Sequence, residues 1–64
     1  METIEDLLLS AKEALVRKRT DESIELFSKV LKRDPENMVA LYSRGTAYYT
    51  MKEYQMALQD FTKG

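Results

Sequence analysis

The 64-residue chain contains no cysteine, no histidine and no tryptophan. Without cysteine it can form neither disulfides nor thiolate metal sites, and without histidine it lacks the commonest metal ligand and general base. A chain of this length buries only about 60% of the surface that it exposes when unfolded. Its stability is therefore expected to be marginal, and any reinforcement has to come from more chain or from a second copy.

No excess of one charge sign is present either. Ten Lys and Arg residues against eleven Asp and Glu residues give a net charge of −1, so no global field attracts nucleic acid or an anionic membrane. The basic run Arg17 to Arg19 is short and is followed at once by two acidic residues, which argues against a phosphate-binding patch.

Long apolar runs are also missing. The longest aliphatic run, Leu7 to Leu9, is far shorter than the roughly 20 residues that span a bilayer. The acidic start of the chain differs from the basic start of a signal peptide. These absences predict a cytoplasmic protein that has neither a membrane nor a nucleic acid as its partner.

Only one proline and two glycines interrupt the chain, and its apolar residues recur at spacings of three and four, which indicates helices. Thr20-Asp21 and Asp34-Pro35 provide helix-start signals, whereas the turn near Lys52-Glu53 carries no such marker. Four apolar stripes result, and they run from Ile4 to Leu15, from Ile24 to Leu31, from Met38 to Tyr49 and from Tyr54 to Phe61.

An internal repeat appears when the chain is shifted by 34 residues against itself. Small residues then coincide at Ala11 and Gly45, and aromatic residues coincide at Phe27 and Phe61. In period and pattern the chain resembles the tetratricopeptide repeat family. The residues that carry the resemblance are Leu7, Ala11, Phe27 and Pro35 in the first unit, and Leu41, Gly45, Tyr48, Tyr54, Ala57 and Phe61 in the second.

The first unit departs from the family pattern more than the second does. Ser10, Ala14 and Ser23 stand where the family usually has Leu, Tyr and Ala, and Arg44 in the second unit replaces a usual Leu. The resemblance implies an all-α fold in which antiparallel helix-turn-helix pairs stack as a short right-handed α-solenoid of four helices. The expected units are residues 4–35 and residues 38–64, and the second is truncated.

The spacing assigns packing roles within this fold. Ala11 and Gly45 let the two helices of each hairpin approach closely, with Ser23 and Ala57 as the small residues that face them. Phe27 and Phe61 then fill the seam to the next unit.

The predicted fourth helix is expected to leave an apolar edge partly uncovered, at Met56, Leu58 or Phe61. Two explanations remain open. The chain is either a fragment of a longer array, or its edge meets a second copy in a homodimer.

No catalytic constellation appears in the sequence. Ser10, Ser23 and the other serines have no histidine to activate them, and the carboxylates are expected at helix caps and on polar faces. The two glycines are isolated, so no phosphate-binding loop is formed. We therefore expect neither an enzyme nor a cofactor or metal site.

The resemblance instead implies a concave groove lined by the first helix of each pair. Tyr42 and Tyr49 belong either to this groove or to the core, and the groove is favoured because Met38, Leu41 and Tyr48 already form an inward stripe. The positions that correspond to the family's groove are Glu5, Leu8, Lys12 and Leu15 in the first unit, and Val39, Tyr42, Thr46 and Tyr49 in the second.

Chaperone-binding members of the family resemble one another in a clamp of Lys and Asn that grips a terminal carboxylate. Leu8, Lys12 and Ser43 occupy the corresponding positions and none matches, which argues against this mode of binding. The predicted function is a protein–protein interaction scaffold, adaptor or co-chaperone-like in kind, that binds a partner peptide or helix along the groove. The alternative is a self-association module that uses the open edge.

Overall fold

The computed structural model describes residues 2–63, so the predicted end of the second unit at Gly64 lies outside the described residues. The regular structure is helical: α1 spans Ile4–Val16, α2 Thr20–Arg33, α3 Met38–Thr50 and α4 Tyr54–Lys63. α1 packs on α2, α3 packs on α4, and the two hairpins meet mainly where α2 contacts α3. This arrangement confirms the predicted all-α, tetratricopeptide-like solenoid of four helices. None of the four is both long and apolar enough to cross a membrane.

The core lies between the first hairpin and α3. Its cluster of buried residues joins Leu7 and Ala11 of α1 to Phe27 and Val30 of α2 and to Ala40 of α3. Phe27 and Ala40 are both 0% exposed and belong to one buried cluster that joins α2 to α3. Full burial of one such aromatic side chain contributes about 1.5–3 kcal/mol.

Two helix starts are held by side-chain caps, and neither is a predicted one. The Thr3 hydroxyl accepts a hydrogen bond from the Asp6 backbone N–H at 3.1 Å, and the Asp6 carboxylate accepts one from the Thr3 N–H at 3.3 Å. At α3 the Asn37 side chain accepts from the Ala40 N–H at 2.9 Å. Both caps satisfy N–H groups that the first helical turn leaves unpaired.

The predicted helix-start signals were therefore wrong in detail. Thr20 already lies inside α2, whose N-cap residue is Arg19 and makes no side-chain capping bond. Asp34 is the C-cap of α2 rather than the start of α3, and its carboxylate accepts a hydrogen bond from the Asn37 amide at 3.3 Å. Pro35 is exposed in the turn between the two helices, so it shapes the connection and does not pack between the repeats.

The turns inside the two hairpins have the same geometry. Lys18 and Lys52, which are 34 residues apart, both adopt left-handed backbone angles, with φ values of 64° and 65°. The N–H of Arg19 reaches the carbonyl of Ala14 at 2.7 Å, and the N–H of Glu53 reaches that of Tyr48 at 2.8 Å. The repeat is thus visible in the backbone even where the second turn carries no sequence marker.

Small buried residues lie in both helices of each hairpin. Ala11 is 0% and Ala57 2% exposed, and Ser23, also 0% exposed, satisfies its hydroxyl by donating to the Thr20 carbonyl at 2.7 Å. At Gly45 an added Cβ would lie 2.7 Å from Cε1 of Phe61. The Phe61 ring therefore lies directly over Gly45, within its own hairpin.

Candidate functional site

A shallow depression of about 250 Å³ lies between α1 and α3. Its lining includes four of the predicted groove positions, Glu5, Leu8, Lys12 and Val39. The sequence analysis missed a fifth lining residue, Leu9. Because α1 and α3 are the first helices of the two hairpins, the depression lies where the resemblance placed a groove.

The depression has an apolar lining between two charges of opposite sign. Leu8 is half-buried, whereas Leu9 and Val39 are 66% and 50% exposed. Glu5 and Lys12 are exposed on α1. The site therefore offers uncovered apolar surface with one donor and one acceptor beside it, and no net charge.

The other predicted groove residues of α3 do not line this depression. Tyr42 and Tyr49 are 47% and 62% exposed, so the alternative that they belong to the core is wrong. Tyr42 instead pairs with Phe61 at 6.2 Å between ring centroids, and Tyr49 pairs edge-on with Tyr54 at 5.3 Å. Both tyrosines therefore lie along the side of α3 that faces α4.

Three further predicted positions complete the comparison. Thr46 is exposed and its hydroxyl donates to the Tyr42 carbonyl at 2.9 Å. Leu15 is half-buried and packs against the core cluster. Met38, which was assigned to the inward stripe, is 42% exposed. That assignment was wrong, since Met38 is the first residue of α3 and does not belong to its buried residues.

An ion pair that the sequence analysis missed joins α3 to α4. Arg44 donates from Nε and Nη2 to the two carboxylate oxygens of Asp60 at 2.8 and 2.7 Å, and from Nη1 to the Ser28 hydroxyl of α2 at 3.1 Å. The side chain of Asp60 is only 5% exposed and that of Arg44 is 21% exposed. The expectation that carboxylates lie at caps and on polar faces is therefore wrong for Asp60.

The geometry of this pair keeps Arg44 charged. The hydrogen bonds to Asp60 raise the pKa of Arg44 above its ordinary value, although burial opposes them. The guanidinium also lies 5.7 Å from the centroid of the half-buried Tyr48 ring, within the range of a cation–π contact. Two features of the sequence pointed to this ion pair. Arg44 stands where the family usually has leucine, and Asp60 lies three residues after Ala57, which places both on one face of α4.

Two stacked helix hairpins, with a shallow depression between their first helices, define a helical-repeat fold. The chain is 33% identical over 60 residues to a tetratricopeptide repeat and J domain-containing co-chaperone, DNJ1, of Fusarium oxysporum f. sp. lycopersici. It is 43% identical over 56 residues to a DnaJ homolog subfamily C member 3 homolog of Dictyostelium discoideum. The matches cover 94% and 88% of this chain but only 12% and 11% of those relatives.

The similarity thus supports a tetratricopeptide-like helical repeat over one short region, and the chain spans about one-eighth of the length of these curated relatives. No protein-family model and no solved structure matches the chain.

Proposed function

We propose that this chain is a protein-interaction module that binds a partner peptide, extended or helical, along the depression between α1 and α3. The observation that carries the proposal is the uncovered apolar surface of Leu8, Leu9 and Val39 between Glu5 and Lys12. Two much longer relatives, one named as a co-chaperone and the other as a DnaJ homolog, support a role in protein interaction.

The lining of the depression indicates what kind of peptide it accepts. An apolar side chain gains about 25 cal/mol for each Å² of apolar surface that it buries. Glu5 and Lys12 offer one acceptor and one donor to the polar backbone of the same peptide. Lys12 is the single cation among the five lining residues and shares the site with a carboxylate, so a terminal carboxylate is a poor ligand here.

Val39→Glu is the variant that tests this site. Val39 is 50% exposed and lies in the first turn of α3, where a carboxylate is favourable to the helix, so the fold should persist. A charge in the apolar lining has to lose its water when a peptide covers it, and we expect about ten-fold weaker binding or more.

Peptides selected from a phage-displayed random library on the immobilised chain supply the ligand, and fluorescence anisotropy measures their dissociation constants. Leu58→Glu is the matched control, because it places the same charge on an apolar residue of α4 that is 61% exposed and away from the depression. Equal affinities for the Val39→Glu variant and the unaltered chain would contradict the proposal.

Tyr49→Ala tests whether a bound peptide also contacts Tyr49, a predicted groove residue that does not line the depression. Tyr49 is exposed and contacts Tyr54 at its ring edge, so its loss should change helicity little. We expect weaker peptide binding if the bound peptide extends along α3 towards the end of that helix. Unchanged affinity would confine the site to the depression beside Val39.

A further inference from the structure

The depression between α1 and α3 carries two charges of opposite sign, and both belong to α1. Its lining residues from one face of that helix are Glu5, Leu8, Leu9 and Lys12. With a rise of about 1.5 Å per residue, Glu5 and Lys12 lie about 10 Å apart along the helix axis. The apolar surface therefore lies between a carboxylate at one end and an ammonium group at the other.

Neither charge has a partner of opposite sign within residues 2–63. The two ion pairs of that part of the chain lie elsewhere, one at the end of α1 and the other between α3 and α4. About 10 Å is also too far for Glu5 to pair with Lys12. α3 adds no charge to the depression, because its single charged residue, Arg44, is bonded to Asp60. Both exposed charges of α1 are therefore available to a ligand.

The volume of the depression indicates how much of a ligand enters it. A cavity of about 150 Å³ holds one benzene molecule, so 250 Å³ accommodates one large apolar side chain and at most part of a second. A helix is about 10–12 Å across and does not enter a space of this size. An extended peptide, in contrast, presents single side chains to one side at every second residue, about 7 Å apart.

We propose that the depression binds an extended peptide in which an apolar residue has a basic residue on one side and an acidic residue on the other, each two positions away. This inference rests on the proposed function, because it specifies the peptide that the same site binds. The apolar residue covers Leu8 and Val39. The basic residue pairs with Glu5 and the acidic residue with Lys12.

The spacing of such a peptide fits the site. Its two charged residues lie about 13 Å apart along the backbone, and their flexible side chains take up the difference from the separation of about 10 Å between Glu5 and Lys12. Either order of the two charges fits, because the peptide can run along α1 in either direction.

Peptides with two like charges do not meet this description. A second basic residue would lie against Lys12, a second acidic residue would lie against Glu5, and like charges repel across an interface. Each exposed ion pair contributes only up to about five-fold in affinity. The two charges therefore select among peptides that share an apolar residue, and the apolar contact supplies most of the binding.

The first test is the random-library selection itself, carried out on the unaltered chain and on a Lys12→Glu chain. Lys12 is exposed in the middle of α1, so this variant should stay folded, which circular dichroism checks. Peptides selected on the unaltered chain should carry opposite charges four positions apart with an apolar residue midway. Those selected on the Lys12→Glu chain should carry two basic residues at the same positions.

The second test reverses one charge in a peptide. The tightest binder of the unaltered chain is synthesised again with arginine in place of its acidic residue, and fluorescence anisotropy measures both forms. The original form should bind the unaltered chain about five-fold more tightly, and the order should invert on the Lys12→Glu chain. Lys29→Glu is the matched control, because it changes the net charge equally at an exposed residue of α2 outside the depression. It should keep the original order.

Three results would overturn the inference: selected peptides without the charge pattern, charges seven positions apart as in a helix, or the same order of affinities on the Lys12→Glu chain. If Val39→Glu still weakens the binding of those peptides, the proposed peptide site itself stands. A selection that yields no peptide, or peptides that bind the Val39→Glu chain as tightly as the unaltered chain, would contradict both proposals.

Discussion

Removal of the Asp60 carboxylate should destabilise the fold, because it breaks the ion pair that joins α3 to α4. In an Asp60→Ala variant the Arg44 guanidinium keeps only its bond to the Ser28 hydroxyl and loses two charge-assisted bonds of 2.7 and 2.8 Å. The methyl group that replaces the carboxylate offers no acceptor. The charge of Arg44 is then left partly buried without its counter-ion.

The structure sets the size of the effect. Breaking a buried ion pair by removing one partner costs about 3–5 kcal/mol when the remaining charge is fully buried. The Arg44 side chain is 21% exposed and recovers part of its hydration, so we expect about 2–3 kcal/mol. A domain of this size has a total stability of only about 3–5 kcal/mol, and the variant should therefore be largely unfolded in mild denaturant.

Arg44→Leu is the second single variant, and together with Asp60→Ala it forms a double-mutant cycle. This change leaves the 5% exposed Asp60 carboxylate without a partner and should cost about 3–5 kcal/mol. In the double variant Arg44→Leu with Asp60→Ala no charge remains buried, and the leucine that is usual in the family restores apolar packing. We expect the double variant to be within about 1 kcal/mol of the original chain.

Urea unfolding followed by far-UV circular dichroism measures all four stabilities, with the osmolyte trimethylamine N-oxide at one constant concentration so that the weakest variant is folded before urea is added. With the losses given above, the coupling energy between the two positions should be about 4 kcal/mol or more. If the double variant loses the sum of the two single losses, the ion pair does not hold α3 on α4 and the reasoning is refuted.

Two further substitutions test the packing and the turns. Gly45→Ala gains about 1 kcal/mol of helix propensity but places a Cβ 2.7 Å from the Phe61 ring, at an overpacking cost of about 1–3 kcal/mol. Thermal melts should show a net loss of up to about 2 kcal/mol, and Gly45→Leu should abolish cooperative melting; an unchanged melting temperature for the leucine variant would contradict the packing. Lys52→Gly relieves a φ of 65° and should stabilise the chain by about 0.5–1 kcal/mol. A lower stability would mean that the lysine side chain contributes more than the strain costs.

The helices and the core positions were predictable from the sequence because they depend on local periodicity. Leu7 and Ala11 have the spacing of one face of α1, and both are buried. Phe27 and Val30 have the spacing of one face of α2 and are also buried. The capping residues were harder to predict from the sequence. Asp34 and Asn37 lie three residues apart, and each has a side-chain oxygen that can accept a hydrogen bond from the backbone N–H groups at a helix start. Only the observed end of α2 at Arg33 and start of α3 at Met38 show which of them caps.

Pairings of charged and aromatic side chains between helices were the part that sequence reasoning did not reach. Arg44 and Asp60 are 16 residues apart, and their pairing depends on the rotation of α4 relative to α3. Tyr42 and Tyr49 have the spacing of a groove face, yet their rings lie against Phe61 and Tyr54. A helical stripe several residues wide touches two neighbours at once, so periodicity alone does not say which neighbour each ring meets.

The most direct test of the proposed function is an NMR titration of the isotope-labelled chain with a peptide selected from the random library. If the depression between α1 and α3 binds the peptide, the largest amide shift changes should occur at Glu5, Leu8, Lys12 and Val39. Changes confined to residues 54–62 of α4, or spread evenly over the chain, would contradict the proposed binding site.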